Sequence, residues 1–286
     1  MKIVTDSAAD LLPQEAETLG ITVAPLHIQF PQEEVDSDQI SPDEFYTRLR
    51  ELGSQIPTTS QPSGGKFARI YKSLQCDCRQ EILSVHISSG LSGTIEAARS
   101  GACQDPDVDV TLVDTLTLSG GQRFQVLAAA QDAQAGLKKQ DILEHLVSIR
   151  EATEVAFTLD TLTYLARGGR IGRVQALAGT LLKLKPVISV DKKDGRYNSS
   201  GKERTLSKAM ERVVDHHFKA FGGDTPVWVA IMHGQFLEQA EALAQQVRER
   251  LNVARLDVLQ ISPVLGVHTG PGVVGAAVVP LDVMNG

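Results

Sequence analysis

Glu81-Ile-Leu-Ser-Val-His-Ile-Ser-Ser-Gly-Leu-Ser-Gly-Thr-Ile-Glu-Ala-Ala-Arg-Ser100 reads as a strand, a loop and a helix in immediate succession. Glu81–Ile87 is short, apolar and β-branched, which predicts a buried strand. Leu91–Ser100 carries the alanine-rich run of a helix. The junction, Ile87–Thr94, holds hydroxyls and glycines where the helix begins. Unpaired backbone N–H groups and the positive end of the helix dipole meet there. Such a spot holds an oxyanion, whether phosphate, sulfate or carboxylate.

Outward from this unit, strand and helix alternate through the first half. Lys2–Thr5, Ile21–Phe30 (with a possible break at Pro25) and Asp109–Val113 read as strands; Ser41–Leu52, Pro62–Leu74 and Leu118–Ala135 read as helices. Ser41-Pro-Asp-Glu44 has the form of a capping box with proline at the first helical position. Alternation of this kind predicts a mainly parallel sheet covered by helices on both faces, with ligands at the carboxyl ends of its strands. Three hydroxyl-rich segments, Thr5–Ser7, Ser88–Thr94 and Asp114–Thr117, are expected to converge on that rim.

The second half has a different pattern. Val187–Asp191 and Gly195–Ser199 flank the turn Lys192-Lys-Asp-Gly195, a hairpin signal. Val227–Met232, Arg255–Ile261 and Gly272–Val279 read as further strands, and Leu206–Ala220 and Phe236–Leu251 as helices. The expected architecture is α/β in two domains. Residues 1–155 form an N-terminal α/β/α domain, and 156–286 a C-terminal α/β domain with a mixed or antiparallel sheet. A cleft between them is the expected place for a ligand.

Composition narrows the function. Of 286 residues, 42% are hydrophobic and 22% charged, as in a globular domain. No apolar run reaches the roughly 18 residues of a membrane span, and the chain enters a strand at Lys2 rather than a leader. Cys76, Cys78 and Cys103 suit a reduced cytoplasm and lack metal-site spacing, so they read as structural or incidental thiols. The net charge of −7 argues against nucleic acid. Residues 161–210 nevertheless hold eleven Lys/Arg and three Asp/Glu, or +8, leaving −15 for the rest of the chain. That segment reads either as a solvated basic surface or as a dock for an anionic partner.

Several motifs admit two readings. Leu118-Ser-Gly-Gly-Gln122 matches the signature of transporter ATPases, but the chain has no phosphate-binding G-x-x-x-x-G-K-[ST] loop. It reads as a helix start capped by Ser119. Gly90-Leu-Ser-Gly93 falls one residue short of a nucleophile elbow. Ser92 with His268, and Asp6 or Asp114, would be the members of a serine acyl hydrolase. Pro57–Ser63 reads first as helix capping through Ser60 or Gln61, and second as further donors toward the ligand of Ser92. Arg167–Arg173 sets three arginines among three glycines, either an anion site or a solvated helix end. His268 lies in Gly266–Gly272, which reads as a sharp turn between apolar strands, where a structural histidine is the first expectation.

Taken in order, Ile3–Ser7, Thr59–Ser63, Leu91–Thr94, Gly168–Ile171, Lys202–Arg204 and His268–Gly272 resemble the DegV family of bacterial fatty-acid-binding proteins along the whole chain. The resemblance implies the EDD fold and one long-chain fatty acid in a tunnel between two domains. It also implies a cytoplasmic carrier without enzymatic activity of its own or a cofactor. A separate ATP-dependent fatty acid kinase of Dak type would phosphorylate the carboxyl group, and transient membrane contact would accompany lipid exchange. Carried over by motif, Ser92, Gly93, Thr59 and His268 would bind the carboxyl group with Arg170 beside them. Arg204, with Lys202, would contact the kinase.

Overall fold

The computed structural model describes residues 1–53, 55–75, 80–175 and 184–285. Along the chain run β1 (Lys2–Asp6), α1 (Pro13–Leu19), β2 (Ile21–Ala24), β3 (His27–Gln29), β4 (Glu34–Asp36), α2 (Pro42–Glu51), β5 (Thr58–Ser60), α3 (Gly64–Ser73), β6 (Ile82–His86), α4 (Thr94–Ala102) and β7 (Val110–Asp114). There follow α5 (Ser119–Gln134), α6 (Lys139–Ala152), β8 (Glu154–Leu159), α7 (Thr163–Arg167), β9 (Lys185–Val190), β10 (Tyr197–Glu203), α8 (Leu206–Phe221), β11 (Pro226–His233), α9 (Leu237–Arg250), β12 (Asn252–Gln260), α10 (Pro263–Thr269), β13 (Val273–Pro280) and α11 (Leu281–Asn285).

The first sheet has the order β2-β1-β6-β7 and is parallel throughout. The second, β10-β9-β8-β13-β11-β12, is antiparallel except for the β11–β12 pair. This is the α/β fold with one parallel and one mixed sheet. Alternation along the strands divides their faces. In β1, Ile3 and Val4 enter different cores; in β11, Trp228, Ala230 and Met232 face one core and Val227, Val229 and Ile231 the other. The result is five layers, with α3 and α4 outside the parallel sheet, α5 between the sheets, and α8 and α9 outside the mixed sheet.

Between the sheets, α5 is buried from Ser119 to Ala130. Gly120 permits its start to press on the mixed sheet, because a Cβ there would stand 2.9 Å from Ala230 and 3.0 Å from Ala277. The buried polar side chains of α5 bond to neighbouring elements, with only Gln122 Oε1 left without a partner among the described residues. Gln122 donates to Thr5 and Asp6, Gln125 donates to the Thr115 carbonyl, and Arg123 is forked onto Glu15 and paired with Asp257 at 2.9 Å. The signature-like motif is therefore a packing device. Ser119 does not cap the helix; it sits at φ +51° and donates to the buried Asp10, whose carboxyl desolvation pushes up to about 6.

The break offered at Pro25 is present, and two local expectations change. Ile21–Phe30 is two strands, since Pro25 ends β2 and β3 joins a small antiparallel sheet, β4-β3-β5. Thr59 pairs with Ile28 inside that sheet, and Ser63 caps α3 through the Lys66 N–H at 3.2 Å. Ser41 accepts from the Glu44 N–H, but the Glu44 carboxylate turns to Arg48, leaving half a capping box. Cys76 and Cys78 lie outside the described residues, and Cys103 is an exposed free thiol.

Candidate head-group site

The chain leaves β1 and β6 toward opposite sides of the parallel sheet, so their carboxyl ends flank a switch point where ligands bind in such sheets. Of the three hydroxyl-rich segments that reach this rim, two are used in holding loops. Ser7 accepts from the Leu26 N–H and the Ser37 hydroxyl, and Thr115 donates to the His86 carbonyl. The third opens onto a cavity, through Ser92. Its Oγ lies 2.8 Å from Thr94 Oγ1 and accepts from the Thr94 N–H at 3.3 Å, at the start of α4.

The cavity brings Ser92, Thr59, His268 and Arg170 together. Thr59 arrives on β5 and His268 on the last turn of α10, a helix rather than the expected turn between strands. Their side chains meet at 2.7 Å, Thr59 Oγ1 to His268 Nε2. Burial first, and the charge of Arg170 second, hold the imidazole down to about 4, so it is neutral near pH 7. Gly168 explains the close approach, because a Cβ there would lie 2.2 Å from His268 Nδ1. That nitrogen has no partner among the described residues.

Arg170 braces two loops. Its Nη1 donates to the Gly168 carbonyl at 2.7 Å and its Nε to the Leu91 carbonyl at 3.2 Å. Among the described residues no carboxylate pairs with it. Arg173, three residues on, has another task, pairing with Asp191 and Asp194 of the β9–β10 turn. The arginine segment thus divides between the site and the hairpin.

The site is the middle of three adjoining cavities. Outward lies a polar mouth bordered by Ser89–Gly93, Gly169, Arg170 and Arg196. Inward lies a chamber whose open wall is wholly apolar, formed by Val155, Phe157, Met232, Ile261 and Val273 among others. Ser119 and Thr269 border this chamber too, but their hydroxyls turn to Asp10 and the Leu265 carbonyl. Leu118, Tyr197 and Leu265 belong to both the middle cavity and the chamber. No sequence signal marked Tyr197 or the apolar chamber residues, which come from several strands, helices and loops and meet only in the fold.

Lys202 and Arg204 border none of these cavities and are exposed. They lie toward the opposite end of β10 from Tyr197, about 20 Å along the chain at the rise of an extended strand. The hydrolase members do not assemble. Asp6 is bonded to His86, Asp114 accepts from the Ser89 and Leu116 N–H groups, and His268 faces Thr59 rather than Ser92. Among the described residues no group of three or more His, Cys, Asp or Glu side chains could hold a metal, and no helix is long and apolar enough to cross a membrane.

Comparison with known proteins shows the family and the fold. A family model described as an uncharacterised protein of the DegV family matches residues 1–281. A DegV domain-containing protein of Deinococcus radiodurans is 36% identical over 281 residues, spanning 97% of this chain and 95% of its own. Among solved structures, a fatty-acid-binding DegV family protein from Thermus thermophilus superposes with a TM-score of 0.91 at 35% identity, covering 98% of this chain and 99% of that one. DegV from Bacillus subtilis, described as a fatty acid binding protein, gives 0.88 at 28% identity over 98% of both chains. A stearic acid-binding protein from Eubacterium ventriosum gives 0.87 at 27% identity, again over 98% of each.

Proposed function

Since the chain belongs to the DegV family, we propose that it binds one long-chain fatty acid and presents the carboxyl group to a separate ATP-dependent fatty acid kinase. The observation that carries this reading is the change of polarity across three cavities with shared walls. A mouth and a middle cavity, which share Arg170 and Ser92 and of which the middle one holds the Thr59–His268 pair, adjoin a chamber with no open polar atom. On this reading residues 1–155 supply most of the head-group site and 156–286 close around the acyl chain. The protein acts in the cytoplasm as a carrier, meeting membranes only in passing. Lys202 and Arg204, exposed and away from the mouth, are the proposed kinase contacts.

The physical chemistry favours this division of labour. A carboxyl group taken from water needs hydrogen bonds. Hydroxyls and a neutral imidazole supply them while leaving an oxygen free to react, whereas a full arginine fork would occupy both oxygens. At about 0.8 kcal/mol per buried CH₂, a fifteen-carbon tail offers up to about 12 kcal/mol before entropic costs. The tail sets affinity and the head group sets orientation.

Mass spectrometry of an organic extract of the purified protein is expected to show a long-chain fatty acid in near-stoichiometric amount. An extract free of fatty acid, from protein that also fails to take up added fatty acid, would overturn the reading. Ser92→Ala is expected to weaken binding by about 1.5–3 kcal/mol at most, the worth of one hydrogen bond to a charged group. The variant should still copurify with lipid, while phosphorylation of the bound carboxyl group falls further than binding does.

A further inference from the structure

Tyr197 is the one described residue that borders the mouth, the middle cavity and the inner chamber together. We propose that it is a positioning residue with two tasks: its phenol donates a hydrogen bond to the anionic head group, and its ring forms the gate between head-group site and chamber. The inference rests on the fatty-acid reading above and adds a residue to it.

Both ends of the side chain support this. The ring is held edge-on against Phe157, with centroids 5.4 Å apart and planes at 73°. Phe157 is itself a wall of the chamber, so the two rings fix the width of the passage. The hydroxyl has no hydrogen-bond partner among the described residues, although the residue is only 4% exposed. Burial raises its pKa, so the phenol stays a donor at neutral pH, and Arg170 is near enough for its charge to act on it. A phenol donor on a cavity wall, beside an arginine that pairs with no carboxylate among the described residues, is arranged for an anion.

The backbone explains why the ring stays in place. Tyr197 opens β10 opposite Val190, directly after the hairpin turn. The turn docks on the Ser88 loop, where Ser88 Oγ donates to the Gly195 carbonyl at 3.0 Å. Gly195 has φ +64°, and a Cβ there would fall 1.8 Å from Ser88 Oγ, so only glycine fits. Arg173 ties Asp191 and Asp194 of the same turn. The loop that carries Ser92 and the strand that carries Tyr197 are therefore fixed to each other across the head-group site.

The test compares dissociation of palmitic acid with that of its uncharged alcohol, hexadecanol, from the delipidated full chain. Tyr197→Phe removes only the hydroxyl. It should weaken binding of the acid by about tenfold, as for loss of a hydrogen bond to a charged group, and leave the alcohol nearly unchanged. Tyr197→Ala removes the ring, and should speed release of both ligands by a similar factor. Equal effects of Tyr197→Phe on acid and alcohol, or none on either, would overturn the head-group task. Unchanged release from a folded Tyr197→Ala would overturn the gate. If the unaltered protein binds neither ligand, the fatty-acid reading falls and this inference with it, an outcome distinct from the others.

Discussion

Two histidines 182 residues apart in the chain numbering, His86 buried and His268 half-buried, each meet a hydroxyl, and their surroundings differ in other respects. His86 is inside a closed network. Asp6 accepts from His86 Nδ1 at 2.9 Å, His86 Nε2 meets Ser84 Oγ at 2.7 Å, and Ser84 meets the Tyr71 hydroxyl at 2.9 Å. Asp6 also accepts from the Ala8, Ile87 and Gln122 N–H groups, and both His86 and Asp6 are wholly buried. Among the described residues His268 has Thr59 and no carboxylate as partner and its Nδ1 is unpartnered, and it borders a cavity. The Asp6–His86–Ser84 series has the residue order of a hydrolytic triad, yet its serine lies in the middle of β6 with no path to a substrate. A satisfied polar network specifies the fold; an unsatisfied one beside a cavity points to a ligand.

The widest separation between the two regions should appear in stability. Asp6→Ala leaves four buried donors without their acceptor and is expected to cost about 3–5 kcal/mol, the scale of breaking a buried pair by removing one partner. Urea denaturation of the delipidated protein measures it through the midpoint at constant slope. Thr59→Val, the matching change at the open site, should cost less than half as much. A loss below about 1 kcal/mol for Asp6→Ala would erase the distinction.

A second separation should appear with acid. His268 is held down to about 4 from an ordinary 6.5. Between those values the unfolded chain binds the proton that the folded site refuses, so this contribution is full above pH 6.5 and is lost as pH falls toward 4. At 1.36 kcal/mol per unit the span amounts to roughly 3 kcal/mol. His217, held down to about 3 by burial, acts in the same direction, and Asp10, pushed up to about 6, acts in the opposite one. Subtracting the pH profile of His268→Gln from that of the unaltered protein isolates the first term. A bound carboxylate beside the imidazole would favour its charged form, so lipid-loaded protein should lose less stability in acid than delipidated protein. Identical profiles for His268→Gln and the unaltered protein would remove the imidazole from the account.

The sequence made the repeating layers legible because a buried parallel strand, a helix cap and a hairpin turn each act over a few residues. Glu81–Ile87 followed by hydroxyls and glycines was enough to find β6, the start of α4 and Ser92. The short strands β3, β4 and β5 were not legible, since three residues carry too little pattern and their pairing is long-range. For that reason the cluster around Thr59 reads first as helix capping through Ser60 or Gln61, with no sign of the strand that carries Thr59. Likewise β8, central in the mixed sheet, lies next to α6 with no glycine or proline between them. The role of Gly168 depends on His268, a hundred residues later. The polar half of the site has a local signature, and the apolar half is made by the meeting of distant side chains.

The smallest expected effect concerns a third region, the exposed end of β10. Lys202 and Arg204 stand in solvent without an ion pair among the described residues, while other cations of the basic segment are neutralised, Lys185 by Asp160, Lys192 by Glu154 and Lys208 by Glu211. The +8 count of that segment therefore overstates the charge available to a partner, and these two are among the groups still able to attract one. Arg204→Ala should change stability by less than about 0.5 kcal/mol and leave bound lipid as it was. Its effect belongs to encounter with an acidic surface, through the association rate and orientation. Acyl-phosphate formation by a cognate kinase, at limiting carrier, should slow severalfold with Arg204→Ala, and added salt should slow the unaltered protein in the same direction. Tyr197→Phe, by contrast, should change head-group binding with little dependence on salt, because its hydrogen bond is buried. If Arg204→Ala supports normal rates at low and high salt alike, this end of β10 carries no partner, and the kinase must dock at the mouth itself, where Arg196 is the exposed cation to remove next.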